Sequence, residues 1–201
     1  METVVKGNIV QKNFMIESIS YLEPSLRMVT PGMVLVAVIL AAVAGILYSC
    51  FTEKKGTTAR CFAAGCLVFY LSLVYASTVF GRKVRATYTY ELMPFWSYQE
   101  IAAGNTKLLI ENFWNVMLLL PVGILLPVCT ERTRLRSVAF TGFILSGTIE
   151  VAQLVMKRGL FEFDDIFHNV AGTAIGYGIY TASRYYCKCR KKSLQTQKKY
   201  V

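Results

Sequence analysis

The composition of this 201-residue chain is unlike that of a water-soluble domain, since 54% of its residues are hydrophobic and its mean hydropathy is +0.43. A formal net charge of +10 would suit a nucleic-acid partner, but seven of the 22 basic residues lie in the last 18 positions, just after an apolar segment. A basic tail beside a bilayer favours anionic lipid, so we expect membrane lipids as partners and no nucleic acid.

Apolar runs recur along the chain at about the length that a membrane-spanning helix requires, roughly 20 residues for a ~30 Å hydrocarbon core. The five runs lie at 31–51, 61–80, 112–129, 137–156 and 166–183. The first two contain no charged residue, whereas the fourth and fifth also carry polar side chains. The sequence therefore predicts an all-α protein, a polytopic transmembrane bundle of about five helices.

The segments outside these runs complete the domain organisation. Apolar residues before the first run fit either a partly amphipathic helix on the outer surface or a mobile terminus. These residues are Ile9, Val10, Phe14, Ile16, Ile19 and Leu22. We expect an N-terminal extracytoplasmic or interfacial segment at 1–30, a transmembrane domain at 31–183 and a basic cytoplasmic tail at 184–201.

Basic residues are distributed unevenly between the two sides of the predicted bundle. Thirteen of the 22 lie in the 52–60 loop, the 130–136 loop and the tail, which share one side. Short segments rich in Lys and Arg stay in the cytoplasm. We therefore expect a multi-pass protein of the cell membrane, with its N-terminus outside and its C-terminus in the cytoplasm.

Cysteine usage indicates neither a disulfide framework nor a metal site. All six cysteines fall on or toward the predicted cytoplasmic half, where thiols stay reduced. Cys187 and Cys189 form a C-x-C pair, but metal sites need further paired ligands. We expect no metal and no cofactor.

The fourth span carries a polar stripe. Ser146, Glu150, Gln153 and Lys157 follow spacings of four, three and four residues, which places them on one helix face. An ionisable group inside a membrane costs roughly 2.5–3.5 kcal/mol on insertion scales, so it usually faces the bundle interior or a wet cavity. The stripe therefore indicates a site or a buried contact.

Two further spans carry related polar faces. In the fifth, one face holds polar residues and two glycines that permit close helix contact, and His168 lies at its edge. That face comprises Asp165, Asn169, Gly172 and Gly176. In the third, one face holds Asn112, Asn115 and Gly123.

The predicted topology brings these groups to one depth, in the outer half of the membrane or just above it. We therefore expect a single extracytoplasmic-facing site. Its candidate residues are Arg82, Arg85, Asn112, Asn115, Glu150, Gln153, Asp164, Asp165, His168 and Asn169.

Each candidate also has a purely structural interpretation. The amides could join helices, at about 0.6 kcal/mol each on average. Glu150 could form an ion pair with Arg82, Arg85 or Lys157. The two aspartates could cap a helix N-terminus, and His168 could be an ordinary hydrogen-bonded side chain.

Four motifs follow one another from residue 92 to residue 177. They are LMPF at 92–95, N-x3-L-x-P-x-G-x2-LP at 115–127, S-x3-E-x2-Q at 146–153 and R-x4-F-x-D-x3-N-x2-G-x3-GY at 158–177. In this order they resemble the VanZ family of bacterial membrane proteins over roughly 90–180. One position departs from the family pattern, because Phe163 stands where an acidic residue is more common.

The resemblance implies an association with low-level resistance to teicoplanin and related glycopeptides in Gram-positive bacteria. It also adds Arg158 to the candidate binding residues. We favour a non-catalytic protein that binds a lipid head group, a lipid-linked cell-wall precursor or a lipoglycopeptide at the outer site.

The alternative is an intramembrane enzyme acting on a lipid-linked envelope substrate, with Glu150 or Asp165 as general base and His168 as acid. A small transporter is the third hypothesis, but the spans do not divide into two corresponding halves.

Overall fold

A computed structural model describes residues 16–24, 26–50, 57–130 and 133–199. The chain is helical apart from its connections, as the apolar runs predict. The predictions for Ile9, Val10 and Phe14 lie outside the described residues, whereas 16–24 forms the helix α1.

The remaining helices follow in chain order. They are α2 (Pro31–Cys50), α3 (Thr57–Tyr75), α4 (Trp96–Ala102), α5 (Lys107–Cys129), α6 (Leu135–Val155) and α7 (Phe163–Lys199). A π-helical turn, Ala76–Phe80, extends α3. Two short strands, β1 (Tyr90–Glu91) and β2 (Phe161–Glu162), pair in parallel and join the loops after α3 and α6.

Four of the described helices are long and apolar enough to cross a membrane. They are α2, α3 with its π-helical turn, α5 and α6. The fifth predicted span forms the first half of α7. This half is less apolar than the other four spans, and its polar and small residues pack against α5 and α6. Asn169 and Thr173 on this part of α7 are only 1% and 0% exposed.

Glycines bring α5 and α7 into backbone contact. A Cβ at Gly172 would overlap the Val116 carbonyl, and one at Gly176 would overlap the Leu120 carbonyl. These contacts confirm the predicted packing role of both glycines. The two helices run in the same direction, because the Asp165 end of α7 lies at Asn115 and Tyr180 lies at Pro127.

Helix α6 runs antiparallel beside α7. A Cβ at Gly142 of α6 would overlap the Thr173 side chain of α7. One helical turn further along α6, Ser146 Oγ accepts a hydrogen bond from Asn169 Nδ2 at 2.9 Å. The predicted polar stripe of α6 is therefore buried against α7. Lys157 departs from the stripe because α6 ends at Val155 and Lys157 has a left-handed backbone, with φ of 55°.

Helices α2 and α3 form a second pair that attaches to this core through α3. A Cβ at Gly65 would lie 3.2 Å from the Ala41 carbonyl oxygen, so the two helices approach closely. The Tyr70 hydroxyl donates to the Leu118 carbonyl at 2.6 Å and ties α3 to α5. Val79 of the π-helical turn packs with Ile149 of α6 in a hydrophobic cluster.

The two ends of the bundle differ in charge. The basic end of the bundle carries Arg60, Arg134 and Arg136. Here α3 and α6 begin, and α2 and α5 finish. We call the opposite end, with α1, α4 and the loops 81–95 and 156–162, the polar end. At the basic end α7 continues to Lys199, through most of the segment predicted as a basic tail, and 179–199 contains neither Gly nor Pro to interrupt the helix.

Gly172→Ala should reduce the yield and thermal stability of the folded protein, because its methyl group would overlap the Val116 carbonyl and force α5 and α7 apart. Gly178→Ala is the matched control on the same helix, since a Cβ there meets nothing within 4 Å. The expected destabilisation of about 1–3 kcal/mol can be measured by thermal unfolding in detergent. Equal stability of the two variants would show that the close contact is not required.

Candidate functional site

Asp164 organises the polar end by capping α4 from another part of the chain. Its carboxylate accepts the Phe95 N–H at 2.5 Å, the Ser97 N–H at 3.1 Å and the Ser97 hydroxyl at 2.7 Å. Phe95 occupies the N-cap position of α4 with φ of 62° and offers no capping side chain, so Asp164 supplies the missing acceptor. Helix capping was one of the two interpretations of this residue, but the capped helix is α4 and not α7.

Asn112 completes this capping arrangement. Its side-chain amide donates to Ser97 Oγ at 3.1 Å. Both Asn112 and Asp164 are buried, at 7% and 1% exposure. Their polar atoms hold α4 onto the first turns of α5 and α7, so their positions serve the fold of the polar end.

Four carboxyl groups converge beside this cap, and we call them the carboxylate cluster: Glu111, Glu150, Glu162 and Asp165. Asp165 accepts a hydrogen bond from the Asn115 amide and is hydrogen bonded to Glu162. Glu150, 2% exposed, accepts the Glu162 backbone N–H at 3.1 Å. Three helices and β2 thus supply one group of acidic side chains.

Arg82 is the cation that acts on this cluster. Its charge lies close enough to act on Glu150 and Asp165. In the described part of the chain, however, no ion pair within 4 Å involves Glu150, and the recorded ion pair joins Arg27 to Glu23. Arg85 is exposed and donates to Thr89 Oγ1 at 3.0 Å, so it does not join Arg82.

Gln153 and Arg158 fix the π-helical turn at the edge of the site. Gln153 Nε2 donates to the Thr78 carbonyl at 3.2 Å. The Arg158 guanidinium donates to the carbonyls of Phe80 and Arg82. A π-helical turn leaves carbonyls out of the regular α-helical pattern, and these two side chains satisfy them.

His168 and Asn169 are both buried in α7, at 6% and 1% exposure. His168 Nε2 shares a 2.8 Å hydrogen bond with the Tyr98 hydroxyl of α4. In the part of the chain that the structure describes, Asn169 Oδ1 has no hydrogen-bond partner. His168 is therefore a hydrogen-bonded side chain at the polar end, as one of its two interpretations held.

Three residues near the site were not predicted. Tyr21 of α1 donates to Glu111 at 3.1 Å and so places α1 beside the cluster, while burial and then the Glu111 charge raise the Tyr21 pKa. Glu162 lies in β2, outside the predicted spans. Glu111 had a usable signal, since it lies one helical turn before Asn115.

The Glu162 pKa is raised from 4.5 to about 7, mainly by burial and also by repulsion from the nearby Glu111 and Glu150 carboxyls, against the lowering effect of the Asp165 hydrogen bond. Glu162 thus changes its charge within the physiological pH range.

Among the described residues, no group of three or more His, Cys, Asp or Glu side chains is arranged to hold a metal ion.

Because the Glu162 pKa is raised on folding, the folded state holds a proton that the unfolded state releases between pH 4.5 and about 7. Stability from this group is complete below pH 4.5 and is lost as the pH rises through 7. Thermal unfolding in detergent should therefore show a Tm that falls over this interval. Glu162→Gln should flatten the profile, and Glu91→Gln, across the β1–β2 pair, should leave it unchanged. A wild-type slope in Glu162→Gln would contradict the assignment.

Asp164→Ala should open the α4 segment, because the Phe95 and Ser97 amides would lose their buried acceptor at a cost of about 1–3 kcal/mol. Hydrogen exchange of these amides should accelerate by about tenfold or more. Glu100→Ala, on the exposed side of the same helix, should exchange like the wild type. Unchanged exchange in Asp164→Ala would rule out the capping role.

Comparison with known proteins shows the family of this chain. The family model described as VanZ/LLP1 matches residues 61–184, which is more than half of the chain. The match begins earlier than the resemblance at 90–180 and so includes α3. Neither the curated proteins nor the solved structures contain a match to this chain. The protein described here, with its four apolar membrane-compatible helices and its polar end, belongs to the VanZ/LLP1 family of membrane proteins.

Proposed function

We propose that this VanZ-like protein binds a lipid or cell-wall-related ligand of the bacterial envelope at the carboxylate cluster, without catalysing a reaction on it. The observation that carries the proposal is the convergence of Glu111, Glu150, Glu162 and Asp165, none of which forms an ion pair within 4 Å with another described residue. Buried carboxyls without a directly paired cation are costly. A ligand that donates hydrogen bonds would offset part of that cost.

The chemistry of the cluster indicates the kind of group that would bind. Carboxylates accept hydrogen bonds from hydroxyl, amide and ammonium groups. Such groups occur in lipid head groups, in lipid-linked cell-wall precursors and in lipoglycopeptides. Arg82 beside the cluster could meet a phosphate on the same ligand.

The orientation of the bundle follows from the positive-inside rule. The basic end, with Arg134, Arg136 and the basic part of α7, would lie in the cytoplasm. The N-terminus and the polar end would then face outward from the cell membrane, where envelope ligands and glycopeptide antibiotics are found. In this orientation, low-level teicoplanin resistance would follow from binding at the outer surface.

The second candidate is an intramembrane enzyme, and one observation favours it. Glu162 and Asp165 are hydrogen bonded to one another, so the two carboxyls can share a proton as acid–base pairs do. Glu150, Asp165 and His168 remain its candidate catalytic groups. In the described part of the chain, however, no recorded hydrogen bond to a cluster carboxyl comes from a Ser, Thr or Cys side chain that could serve as an activated nucleophile.

Glu150→Gln tests the binding role. Glutamine can still accept the Glu162 N–H, so the variant should accumulate and fold normally while it loses the negative charge that the ligand meets. Binding of teicoplanin or of a lipid-linked cell-wall precursor to protein in nanodiscs should weaken by about tenfold, and resistance should fall with it.

Glu91→Gln is the matched control, since Glu91 lies at the same end and accepts the Met93 N–H in a local turn. Wild-type binding and resistance in Glu150→Gln would remove Glu150 from the site. Turnover of a labelled lipid-linked precursor by the purified wild type would favour the enzyme instead.

A further inference from the structure

An apolar groove of about 640 Å³ runs between α2 and α3. Gly32, Met33, Val36 and Leu40 line its α2 wall. The α3 wall is formed by Val68, Leu71, Ser72, Tyr75, Ala76 and Phe80. The α2 wall extends over about 12 Å of helix and the α3 wall over about 18 Å, lengths similar to the ~15 Å of hydrocarbon in one leaflet.

The polar side chains along the groove already have hydrogen-bond partners. Tyr75 OH shares a hydrogen bond with Thr148 Oγ1 at 2.5 Å, and Ser72 Oγ donates to the Val68 carbonyl at 2.8 Å. Thr30 Oγ1, at the upper end, accepts the Met33 N–H at 3.3 Å. The groove therefore offers methyl, methylene and aromatic surface to a ligand. The two helices that form it are apolar enough to span a membrane.

The upper end of the groove adjoins the carboxylate cluster. Phe80 lines the groove, and Arg82, whose charge acts on Glu150 and Asp165, follows two residues later, at most about 7 Å away along the backbone. Between them, Gly81 packs against Met28, and an added Cβ would lie 2.6 Å from Met28 Cβ. The groove and the polar site thus meet at the segment 80–82.

We propose that the groove holds one acyl chain of a membrane lipid whose head group lies at the carboxylate cluster. This inference rests on the proposed function and narrows its ligand to a molecule with a hydrocarbon chain. The chain enters beside Thr30 and Phe80 and extends between α2 and α3 toward Leu40 and Val68. Burial of methylene groups against these walls anchors the lipid, while the head group supplies the polar contacts.

The inference can be tested with a phospholipid that carries a photoreactive group in one acyl chain. The full-length protein is placed in nanodiscs of phosphatidylethanolamine and phosphatidylglycerol that contain a trace of this probe, and labelled residues are identified by mass spectrometry. Labelling of the groove walls should exceed that of Phe140, an exposed residue of α6, by at least about fivefold. That excess corresponds to roughly 1 kcal/mol, about one buried methylene group.

Two variants fill the groove and one is a matched control. Val36→Trp and Ser72→Leu should each reduce groove labelling to the level found on α6. Val38→Trp should not, because Val38 lies on the same helix outside the groove and is 50% exposed, close to the 55% of Val36. Asp165→Asn, in the cluster, should also reduce groove labelling because it weakens the hold on the head group.

The outcomes separate the two proposals. Uniform labelling of all lipid-facing helices would overturn the groove, whereas the effect of Glu150→Gln on precursor or teicoplanin binding would still decide the proposed function. Groove labelling that is lost in Val36→Trp but unchanged in Asp165→Asn would overturn the link between the groove and the cluster. Loss in both, with Val38→Trp unaffected, supports the proposal.

Discussion

The close parallel contact of α5 and α7 is the constraint on which the rest of the structure depends. Gly172 and Gly176 allow the two backbones to meet at Val116 and Leu120, at a separation that any larger residue would prevent. Once this contact exists, the Asp165 end of α7 lies against Asn115, and α6 can place Ser146 beside Asn169. The positions of the polar groups thus follow from a packing requirement of small residues.

Low dielectric surroundings explain how the polar end is ordered. A buried backbone N–H or carbonyl without a partner is costly. At the polar end, α4 has no capping side chain at its own N-cap position, and the π-helical turn after α3 is irregular. Asp164 satisfies the first turn of α4, while Gln153 and Arg158 satisfy the carbonyls of the π-helical turn. Gln153 and Arg158 of the VanZ motifs therefore help to build the frame of the site.

The carboxylate cluster differs from this frame in its chemistry. Asp164 accepts three hydrogen bonds, whereas the four carboxyls of the cluster accept fewer and repel one another, with Arg82 as the nearby charge. Repulsion among carboxyls makes the cluster receptive to protons, cations and hydrogen-bond donors. A site with this character suits a ligand with hydroxyl, amide or ammonium groups, and the adjacent groove suits the hydrocarbon of a lipid.

By itself, the sequence determined the all-α membrane class, the approximate position of the spans and the family, because long apolar runs and ordered motifs are local features of the chain. The spacing of Ser146, Glu150 and Gln153 likewise placed them on one face, since helical periodicity is fixed by backbone geometry. Only the tertiary structure decided which polar group meets which. It assigned Asp164 to α4, separated Arg82 from Arg85 and added Glu111 and Glu162 to the site, because contacts between residues distant in the chain depend on how the helices pack and where the loops fold back.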